Sequence, residues 1–411
     1  FFMETYLVGG AVRDKLLRIP TKDKDWVVVG AHVKEMKALG YLQVGKDFPV
    51  FLHPQTKEEY ALARTEKKTG PGHTAFELDI SSKVTLEEDL KRRDLTINAI
   101  AEDQNGLLID PFGGLKDIEK KVLRHVSDAF SEDPLRVLRV ARFAAKLAPM
   151  GFTVSPGTMR LMRDISDSGE LITLSAERVW QEFEYALATS TPEKFISTLK
   201  ECGALKSILP EINALFDIPQ HKQYRPEVNA GLHTLKCLRQ ASQLSADISV
   251  RYAALIQDVG KRIGDEQILP SNLVRKSSGL QLQSEITKRL SVPKLHTNLA
   301  ALVCEHHAKM HQAFKLDPAE LLSLLESLDA IRRPQRFNKF LLACEADARV
   351  RTGLEDGVYP QSKFLSSILK TISEVDEKSL IERQPNKNPR ELLKDFRLNL
   401  IAKSITEREN T

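Results

Sequence analysis

The sequence feature that most constrains the fold is a change of hydrophobic pattern near Leu115. Before this residue, short apolar runs rich in β-branched side chains alternate with turn residues, as in residues 26–29 and 95–100. After it, apolar residues recur three and four positions apart, as in residues 134–147, which is the period of an amphipathic helix. The pattern predicts an α/β first third and an almost entirely helical remainder.

Composition narrows the class of protein without deciding its function. At 411 residues the chain is too long for one ordinary core, so we expect two to four domains. It contains no run of about 18 apolar residues and no signal-peptide pattern, so we expect no membrane span and a cytoplasmic location. The four cysteines are widely spaced, which argues against a disulfide framework or a zinc site. The net charge of +4 only mildly favours a polyanionic partner.

Two local signals in the first third are specific. Thr85 and Glu88 have the spacing of a capping box, which predicts a helix start. The pair Asn105-Gly106 favours a tight turn and predicts a hairpin that joins residues 95–102 to residues 107–109.

Two acidic residues precede the apolar run of residues 26–29. On an extended backbone, Asp23 and Asp25 point to the same face. Two close carboxylates repel each other unless a cation lies between them, and Mg²⁺ shared with substrate phosphates is the usual solution. The pair is a candidate Mg²⁺ site for phosphoryl or nucleotidyl transfer. An Asp-x-Asp pair alone is more often a solvated charged turn.

A glycine pair lies upstream, between a strand-like run and a predicted helix. Gly9 and Gly10 allow backbone N–H groups to approach a phosphate, and Arg13 is close enough in sequence to reach the same group. A Gly-Gly turn alone is weak evidence. Because Asp23 and Asp25 follow, the combination is much more specific.

An ordered set of motifs resembles one known family. The motifs are Gly9-Gly-Ala-Val-Arg-Asp14, Asp23-Lys-Asp25, Arg92-Arg-Asp-Leu-Thr-Ile-Asn-Ala99, Asp110-Pro-Phe-Gly-Gly-Leu115, Glu132-Asp-Pro-Leu-Arg136 and Glu177-Arg-Val-Trp-Gln-Glu182. Together they resemble class II, bacterial-type tRNA nucleotidyltransferases of the polymerase-β superfamily, and in particular the gammaproteobacterial multifunctional type. The resemblance implies an α/β head with a small mixed sheet, followed by an all-α neck, body and tail. It also implies addition of the 3′-terminal CCA to tRNA from CTP and ATP.

The resemblance assigns the triphosphate and the third carboxylate. Gly10, Arg13 and Arg93 would hold the triphosphate of the incoming nucleotide. Glu59, on a strand beside the Asp-x-Asp segment, would be a third catalytic carboxylate, and the adjacent Glu58 is its rival for this role.

The resemblance also assigns the base-selecting residues to a helix that starts near residue 132. Asp133 would accept from the exocyclic amino group of the base, and Arg136 would donate to the ring nitrogen. Cytosine and adenine present this pattern, whereas uracil and guanine present the reverse. Arg139 and Arg142 would brace the pair or contact phosphate, and Asn98, expected on a strand, would face the ribose.

The basic, glycine-rich residues 67–73 match the family's flexible loop, which is associated with the switch from C to A addition. A surface loop without that role remains an alternative. If the loop has the family role, its presence argues against an enzyme that adds only CC.

From about Ala230 to Met310 the chain resembles the HD phosphohydrolase domain attached to many of these enzymes, with one departure. Gln257 stands where the dyad histidine is expected before Asp258. Histidines remain at His233, His307 and His311, but residues 268–280 contain none. We therefore expect an HD-like scaffold that has lost its metal-dependent activity.

These observations predict four domains and a set of partners. The head is expected at residues 1–140, the neck at 141–225, the degenerate HD-like body at 226–331 and a tRNA-binding tail at 332–411. The implied partners are the 3′ end and acceptor stem of tRNA, ATP, CTP and Mg²⁺, with the protein a monomer or a homodimer. The alternatives are an A-adding enzyme or poly(A) polymerase, an HD-type phosphohydrolase, and a catalytically silent RNA-binding protein.

Overall fold

The computed structural model describes residues 3–21, 24–44, 50–68, 76–79, 81–219, 229–260, 272–350, 357 and 359–409. The chain divides into two compact units, Phe1–Ile208 and Leu209–Thr411. The first contains the β-sheet and the second is helical where it is described. The prediction of an α/β first part followed by a helical remainder is confirmed.

Among the described residues, the strands all lie in the first unit. They are β1 (Glu4–Val8), β2 (Asp25–Val29), β3 (Leu42–Gln43), β4 (Val50–Leu52), β5 (Glu59–Leu62), β6 (Thr65–Lys68), β7 (Phe76–Asp79), β8 (Ala101–Glu102), β9 (Leu108–Ile109), β10 (Val122–Leu123) and β11 (Thr153–Val154). Among them, a seven-stranded mixed sheet has the order β3-β4-β5-β2-β1-β8-β9, in which only β2 and β5 run parallel. β6 pairs with β7, and β10 pairs with β11.

Strand β2 is buried on both faces of the large sheet. Val27 and Val28 point to opposite faces because side chains alternate along a strand. Val27 belongs to an apolar cluster with Leu90, and Val28 belongs to a second cluster with Phe51. Burial on both sides explains why residues 26–29 form a continuous apolar run instead of an alternating one.

The helices of the first unit are α1 (Gly10–Leu16), α2 (Val33–Ala38), α3 (Leu86–Lys91), α4 (Gly114–Lys120), α5 (Leu135–Leu147), α6 (Pro156–Asp167), α7 (Ala176–Leu187), α8 (Glu193–Glu201) and α9 (Leu205–Ile208). The predicted capping box at the start of α3 is confirmed, because Thr85 and Glu88 each accept from the other's backbone N–H. Helix α5 is almost wholly buried and packs against α7 and α8.

Residues 95–100 do not form the predicted strand. They form a 3₁₀ turn at Thr96–Asn98, and the hairpin is limited to the antiparallel pair β8–β9. Thr96 Oγ1 donates to Asp117 Oδ2 at 2.7 Å. The Thr96 carbonyl also lies where a Cβ on Gly114 would approach it to 2.2 Å, so only glycine fits there. Side-chain hydrogen bonds of this kind compete with a strand ladder. The strand prediction is wrong, whereas the hairpin is confirmed.

Helix α5 begins at Leu135 instead of near residue 132. A 3₁₀ turn occupies Asp128–Glu132, and Asp133 has an extended backbone with φ −121° and ψ 107°. Pro134 stands at the N-cap, where a missing N–H costs no helix hydrogen bond. Asp133 therefore lies just before the helix, while its predicted partner Arg136 lies on it, as do Arg139 and Arg142.

The helices of the second unit are α10 (Pro210–Leu215), α11 (Ala230–Leu244), α12 (Ile248–Ile256), α13 (Asn272–Arg289), α14 (Lys294–His311), α15 (Pro318–Ser327), α16 (Pro334–Ala348), α17 (Pro360–Ser373), α18 (Glu377–Glu382) and α19 (Pro389–Glu409). Its centre is formed by α11, α12, α14 and α16, while α19 packs against α15, α17 and α18. The four cysteines, all among the described residues, form no disulfide with one another. None of the described helices has the length and apolarity that a bilayer span requires.

Candidate active site and a second polar cluster

Three strand ends meet at one edge of the large sheet. Val8 of β1 lies opposite Asp25 of β2, and Asp25 lies opposite Glu59 of β5. Gly9 and Gly10 follow Val8 directly. Neighbouring strands lie about 4.8 Å apart, and residues opposite each other point to the same face. The edge therefore brings two carboxylates together beside the glycine pair.

Asp25 and Glu59 have the chemistry of a divalent-cation site. Both side chains are exposed to solvent, and carboxylate oxygens are the ligands that Mg²⁺ takes from proteins. The third candidate ligand, Asp23, lies outside the described residues, as do residues 69–73 of the loop assigned to the switch from C to A addition.

The rival carboxylate Glu58 has other partners. Its Oε1 lies 3.1 Å from Lys24 Nζ, and its Oε2 accepts from Trp26 Nε1 at 2.9 Å. Partial burial raises the pKa of Glu58, but the hydrogen bonds from Lys24 and Trp26 outweigh it and hold this pKa below its usual value. The geometry favours Glu59 over Glu58 as the carboxylate that accompanies Asp25.

Arg93 lies against the glycine pair. Gly9 has φ 69°, a conformation that favours glycine, and a Cβ at this position would lie 3.0 Å from Arg93 Nη1. On its other side, Arg93 Nη2 donates to Asp89 Oδ2 at 3.1 Å. Asp89 is buried and also lies 3.5 Å from Arg92 Nη2. It thus orients Arg93 at the edge of the sheet.

Sequence reasoning did not assign Asp89 a role. The available signal was its spacing of three and four residues from Arg92 and Arg93, which places such side chains next to each other near a helix end. That spacing occurs so often on solvated helix faces that it does not by itself indicate a site.

Arg13 is buried beneath the same edge, with only 3% of its surface exposed. Its Nε donates to Asp14 Oδ1 at 2.8 Å and its Nη1 donates to Asn98 Oδ1 at 2.6 Å. The guanidinium also lies 4.8 Å from the centre of the Phe143 ring. Burial lowers the pKa of Arg13, and the Asp14 carboxylate opposes this shift. Arg13 therefore fixes Asn98, which in turn donates to Asp94 at 2.9 Å.

The outer arginines of α5 bind buried carboxylates. Arg139 Nε donates to Asp94 Oδ2 at 2.7 Å, and Arg142 Nε donates to Glu182 Oε2 at 2.5 Å. Burial raises the pKa of Asp94, but the charge of Arg139 outweighs it and holds this pKa far below its usual value. Arg142 also lies 4.3 Å from the centre of the Phe143 ring. These contacts join α5 to α7 and to the segment that carries Asn98.

Asp133 and Arg136 are each oriented by other groups. Asp133 Oδ2 accepts from Arg178 Nη2 of α7 at 2.7 Å. Arg136 donates to the backbone carbonyls of Ala129 and Arg92 at 2.5 and 2.6 Å. Arg178 belongs to the Glu177–Glu182 motif, but the sequence did not indicate its pairing with Asp133.

A second polar cluster lies in the helical unit and is centred on Asp347. His233 Nε2 lies 2.7 Å from Asp347 Oδ1, and His311 Nε2 lies 2.7 Å from Asp347 Oδ2. Gln257 Nε2 donates to Asp347 Oδ1 at 3.3 Å, and Cys237 Sγ lies 3.4 Å from His233 Nε2. Sequence reasoning found both histidines and Gln257 but missed Asp347 and Cys237, because nothing near them in sequence marks them.

The second cluster gathers possible metal ligands in a closed setting. His233, Cys237 and Asp347 are buried and offer ligand atoms within 4.8 Å of one another. Asp258 Oδ1 lies 3.8 Å from His307 Nε2, and burial lowers the pKa of His307 despite the neighbouring carboxylates. The amide of Gln257 donates to the same oxygen of Asp347, Oδ1, that lies against His233. Gln257, which stands where the resemblance implies a histidine, thus has a hydrogen-bond partner in Asp347.

Two family models match parts of the chain between residues 5 and 216. The model described as Poly A polymerase head domain matches residues 5–124, and the model described as Probable RNA and SrmB-binding site of polymerase A matches residues 151–216. The first match contains the sheet edge with Asp25, Glu59 and Arg93, and the second contains helices α6 to α10.

Curated relatives are similar over nearly the whole chain. The Multifunctional CCA protein of Hahella chejuensis is 54% identical over 92% of this chain and 90% of its own length. The Multifunctional CCA protein of Acinetobacter baumannii is 48% identical over 97% of both chains. Among solved structures, a Thermotoga maritima CCA-adding enzyme complexed with tRNA covers 98% of this chain and 91% of its own, with a TM-score of 0.65 at 20% identity. At that identity the likeness shows the fold.

Proposed function

The chain belongs to the family of multifunctional CCA proteins and is a tRNA nucleotidyltransferase, and from this premise we propose that it adds and repairs the 3′-terminal CCA of tRNA with CTP and ATP. A tRNA substrate is consistent with a cytoplasmic enzyme. The relatives are named for CCA, and structural neighbours were solved with tRNA, ATP or CTP. Poly(A) polymerase and A-only addition are the alternatives within the same chemistry.

The observation that carries the proposal is the register of β1, β2 and β5. It places Asp25 beside Glu59 and next to the turn that contains Gly9 and Gly10. Two carboxylates next to a glycine turn and the guanidinium of Arg93 suit a nucleoside triphosphate with its divalent cation. A solvated charged turn, the alternative for the Asp-x-Asp pair, would not require Glu59 in register with Asp25.

In this proposal Asp23, Asp25 and Glu59 are the catalytic carboxylates, and Asp23 and Asp25 hold Mg²⁺. Bound there, the ion would neutralise the triphosphate and favour ionisation of the tRNA 3′-hydroxyl. The two described carboxylates fit this role because they are exposed and offer only oxygen ligands.

The triphosphate is held by Gly10, Arg13 and Arg93. Arg93 approaches the Gly9 backbone and can donate to phosphate oxygens, while the buried Arg13 contributes mainly by fixing Asn98 near the ribose position. The tRNA 3′-oxygen attacks the α-phosphorus, the bond from that phosphorus to the bridging oxygen breaks, and pyrophosphate leaves. Proper alignment of these groups accounts for much of the rate gain in such a transfer.

Base selection is assigned to Asp133 and Arg136. A carboxylate accepts from the exocyclic amino group of cytosine or adenine, and a guanidinium donates to the ring nitrogen. The contact of Arg178 with Asp133 supports a carboxylate held in one orientation. To donate to the base, Arg136 must give up one of its two hydrogen bonds to backbone carbonyls. Arg139 and Arg142 brace the helix that carries Arg136.

We propose the domain bounds given above, with the head at residues 1–140, the neck at 141–225, the body at 226–331 and the tail at 332–411. The described division between Ile208 and Leu209 falls inside the proposed neck. The tail and body are proposed to bind the tRNA acceptor stem, chiefly through phosphate contacts.

The proposal is tested with three tRNA transcripts that end before CCA, after C and after CC. Each is incubated with Mg²⁺ and with CTP and ATP, singly and together, using the wild type and Asp23→Ala. Ordered C, C and A addition that disappears in the variant is expected. Addition of A alone, and only to the CC-ending transcript, would reduce the activity to A addition, and repeated A addition to any RNA would indicate a poly(A) polymerase.

The second cluster raises phosphohydrolase activity as a candidate from another class, and we propose that this activity is lost. His233 and His311 lie against Asp347, as ligands do in a metal site. However, Gln257 stands where a histidine is expected, and it donates a hydrogen bond to Asp347. The test is release of phosphate from 2′,3′-cyclic nucleotides with Ni²⁺ or Mg²⁺. Release that persists in Asp23→Ala would show that the second cluster is active.

A further inference from the structure

The second unit contains a cavity of about 520 Å³ with an unusually basic lining. Four cationic side chains at the start of α16 face it, namely Arg332, Arg333, Arg336 and Lys339, and the rest of the lining comes from α12, α14 and neighbouring residues of the same segment. Its volume is in the range of pockets that hold small molecules or single nucleotides. No residue of this cavity has entered the proposed mechanism.

The carboxylates around the cavity are too few for its cations. Asp329 is shared by three arginines, at 2.6 Å from Arg332 Nε, 3.2 Å from Arg333 Nε and 3.8 Å from Arg336 Nη2. Lys339 pairs with Asp247 at 2.6 Å. Four cations therefore share two carboxylates among the described ion pairs of this lining. Like charges held this close repel each other, and an anion in the cavity would relieve the repulsion.

Arg336 shows the effect of this crowding most clearly. It is half-buried, and its Nη2 donates to the Leu328 carbonyl at 2.8 Å. Its Nε is buried without a hydrogen-bond acceptor in the described structure. Burial lowers the pKa of Arg336, and the neighbouring charge of Arg333 lowers it further. An anion that reached Arg336 would stabilise this half-buried guanidinium, because it would offset the charge of Arg333 and could accept from Nε.

Other features of the lining suit a phosphate that carries a sugar. Helix α16 has 15 residues and no side-chain cap at its first turn, so its free N–H groups and positive end add to the field of the arginines. On the opposite wall, Leu295 of α14 is 64% exposed and supplies an apolar surface. Arg332 and Arg333 have exposed side chains that can reach out to a polymer.

We propose that this cavity binds one phosphodiester group of the tRNA backbone. Arg332 and Arg333 contact the phosphate oxygens, Arg336 and the first turn of α16 supply the base of the site, and Leu295 packs against the sugar. This inference rests on the proposed function, since it takes tRNA as the polymer. The sequence alone predicts that these cations could follow the tRNA backbone, and the cavity narrows that prediction to one phosphodiester site. A free phosphate compound shares the same chemistry and is separated from RNA by the test.

The test compares the wild type with Arg332→Gln/Arg333→Gln. A matched control is Lys34→Gln/Lys37→Gln, which removes the same charge from exposed positions of α2 in the first unit. The Kd for a tRNA transcript lacking CCA is measured over a range of KCl concentrations, and kcat is measured at saturating tRNA. The cavity variant is expected to bind tRNA at least about tenfold more weakly, to lose about one unit of salt slope, and to keep the wild-type kcat.

Phosphate protection gives a readout that does not depend on catalysis. Phosphorothioate footprinting of bound tRNA should show one protected backbone position that the cavity variant loses and the control retains. If the wild type added no nucleotide, the proposed function would fail while the Kd and footprint still reported on the cavity. An unchanged Kd and footprint would overturn the cavity assignment. A second result would also overturn it. In that case inorganic phosphate or pyrophosphate would stabilise the wild type against heat but not the cavity variant, while both proteins bound tRNA equally well.

Discussion

The sheet edge of the first unit and the Asp347 cluster of the second unit both contain carboxylates, but these carboxylates differ in exposure and in their partners. At the edge, Asp25 and Glu59 are exposed, and the carboxylates behind them are bound by arginines whose charge is permanent. In the second cluster, His233 and His311 lie against the two oxygens of a buried Asp347. The carboxylates of the edge are exposed to solvent, whereas the carboxylate of the second cluster is buried among histidine and glutamine side chains.

This difference bears on how readily each set of carboxylates could take up a metal ion. His233, Cys237 and Asp347 offer ligand atoms within 4.8 Å of one another. The pKa of Asp347 lies far below its usual value, because its histidine contacts outweigh the effect of burial. However, Gln257 also donates to this carboxylate. A metal ion in the second cluster would have to compete with these internal hydrogen bonds of Asp347.

The largest expected effect is on catalysis at the edge. Asp25→Asn keeps the size of the side chain and removes its charge, so we expect the rate of nucleotide addition to fall by at least about a thousandfold, at the upper end of single-group electrostatic effects. Single-turnover extension of a CC-ending transcript with ATP measures this. Glu58→Gln is the control and should stay near the wild-type rate, because Glu58 is bound to Lys24 and Trp26. Equal rates for wild type and Asp25→Asn would contradict the edge as the active site.

The next largest effect is on the arginine network behind the edge. Glu182→Gln leaves Arg142 without its anionic partner in a largely buried setting, and we expect a loss of about 3 kcal/mol in the free energy of unfolding. Urea unfolding followed by tryptophan fluorescence suits this test, because both tryptophans, Trp26 and Trp180, lie in the first unit. Glu201→Gln at an exposed position should change stability by less than about 0.5 kcal/mol. A similar loss in both variants would mean that the buried ion pair is not special.

A third variant is designed to remove the difference between the two regions. Gln257→His restores an imidazole beside Asp258 and removes the amide that donates to Asp347, so we expect Ni²⁺ or Mn²⁺ to bind at least about tenfold more tightly than to wild type. Isothermal titration calorimetry measures this. Gln281→His adds a histidine at an exposed position and should leave the affinity unchanged. If wild type already binds as tightly as Gln257→His, the second cluster is a functional metal site and the contrast fails.

The smallest effect is on the helix that brings Arg93 to the edge. Thr85→Ala removes half of the capping box of α3, and we expect a loss of about 1 kcal/mol in the free energy of unfolding. A thermal unfolding scan detects a shift of this size. Glu87→Ala, in the same first turn but outside the capping box, should have a smaller effect. The opposite order would show that the cap does not position α3.

Local sequence signals predicted local structure well. The apolar run of β2, the turn between β8 and β9, the capping box of α3 and the periodicity of α5 each depend on residues within a few positions of one another. The errors arose where a distant partner decides the conformation. Thr96 is bound by Asp117 and packs its carbonyl against Gly114, so a β-branched segment turns instead of extending.

The sequence predicted which residues belong to the site but not which of them contact one another. Motifs indicated which residues are present, and the resemblance supplied their roles, yet neither indicates which guanidinium meets which carboxylate. Asp133 with Arg178, and Arg93 with Asp89, are contacts decided by packing. Asp347 was missed for the same reason, because it lies on α16, far in sequence from His233 and Gln257.

The register between β2 and β5 also has a consequence for folding in the cell. Asp25 and Glu59 are separated in the chain by α2, β3 and β4, so they become neighbours only when the sheet has formed. A cation that needs both carboxylates would bind the folded head and not the unfolded chain, and mass action would then raise the melting temperature as its concentration rises. The concentration of divalent cations would thus affect the thermal stability of the head as well as its rate of catalysis.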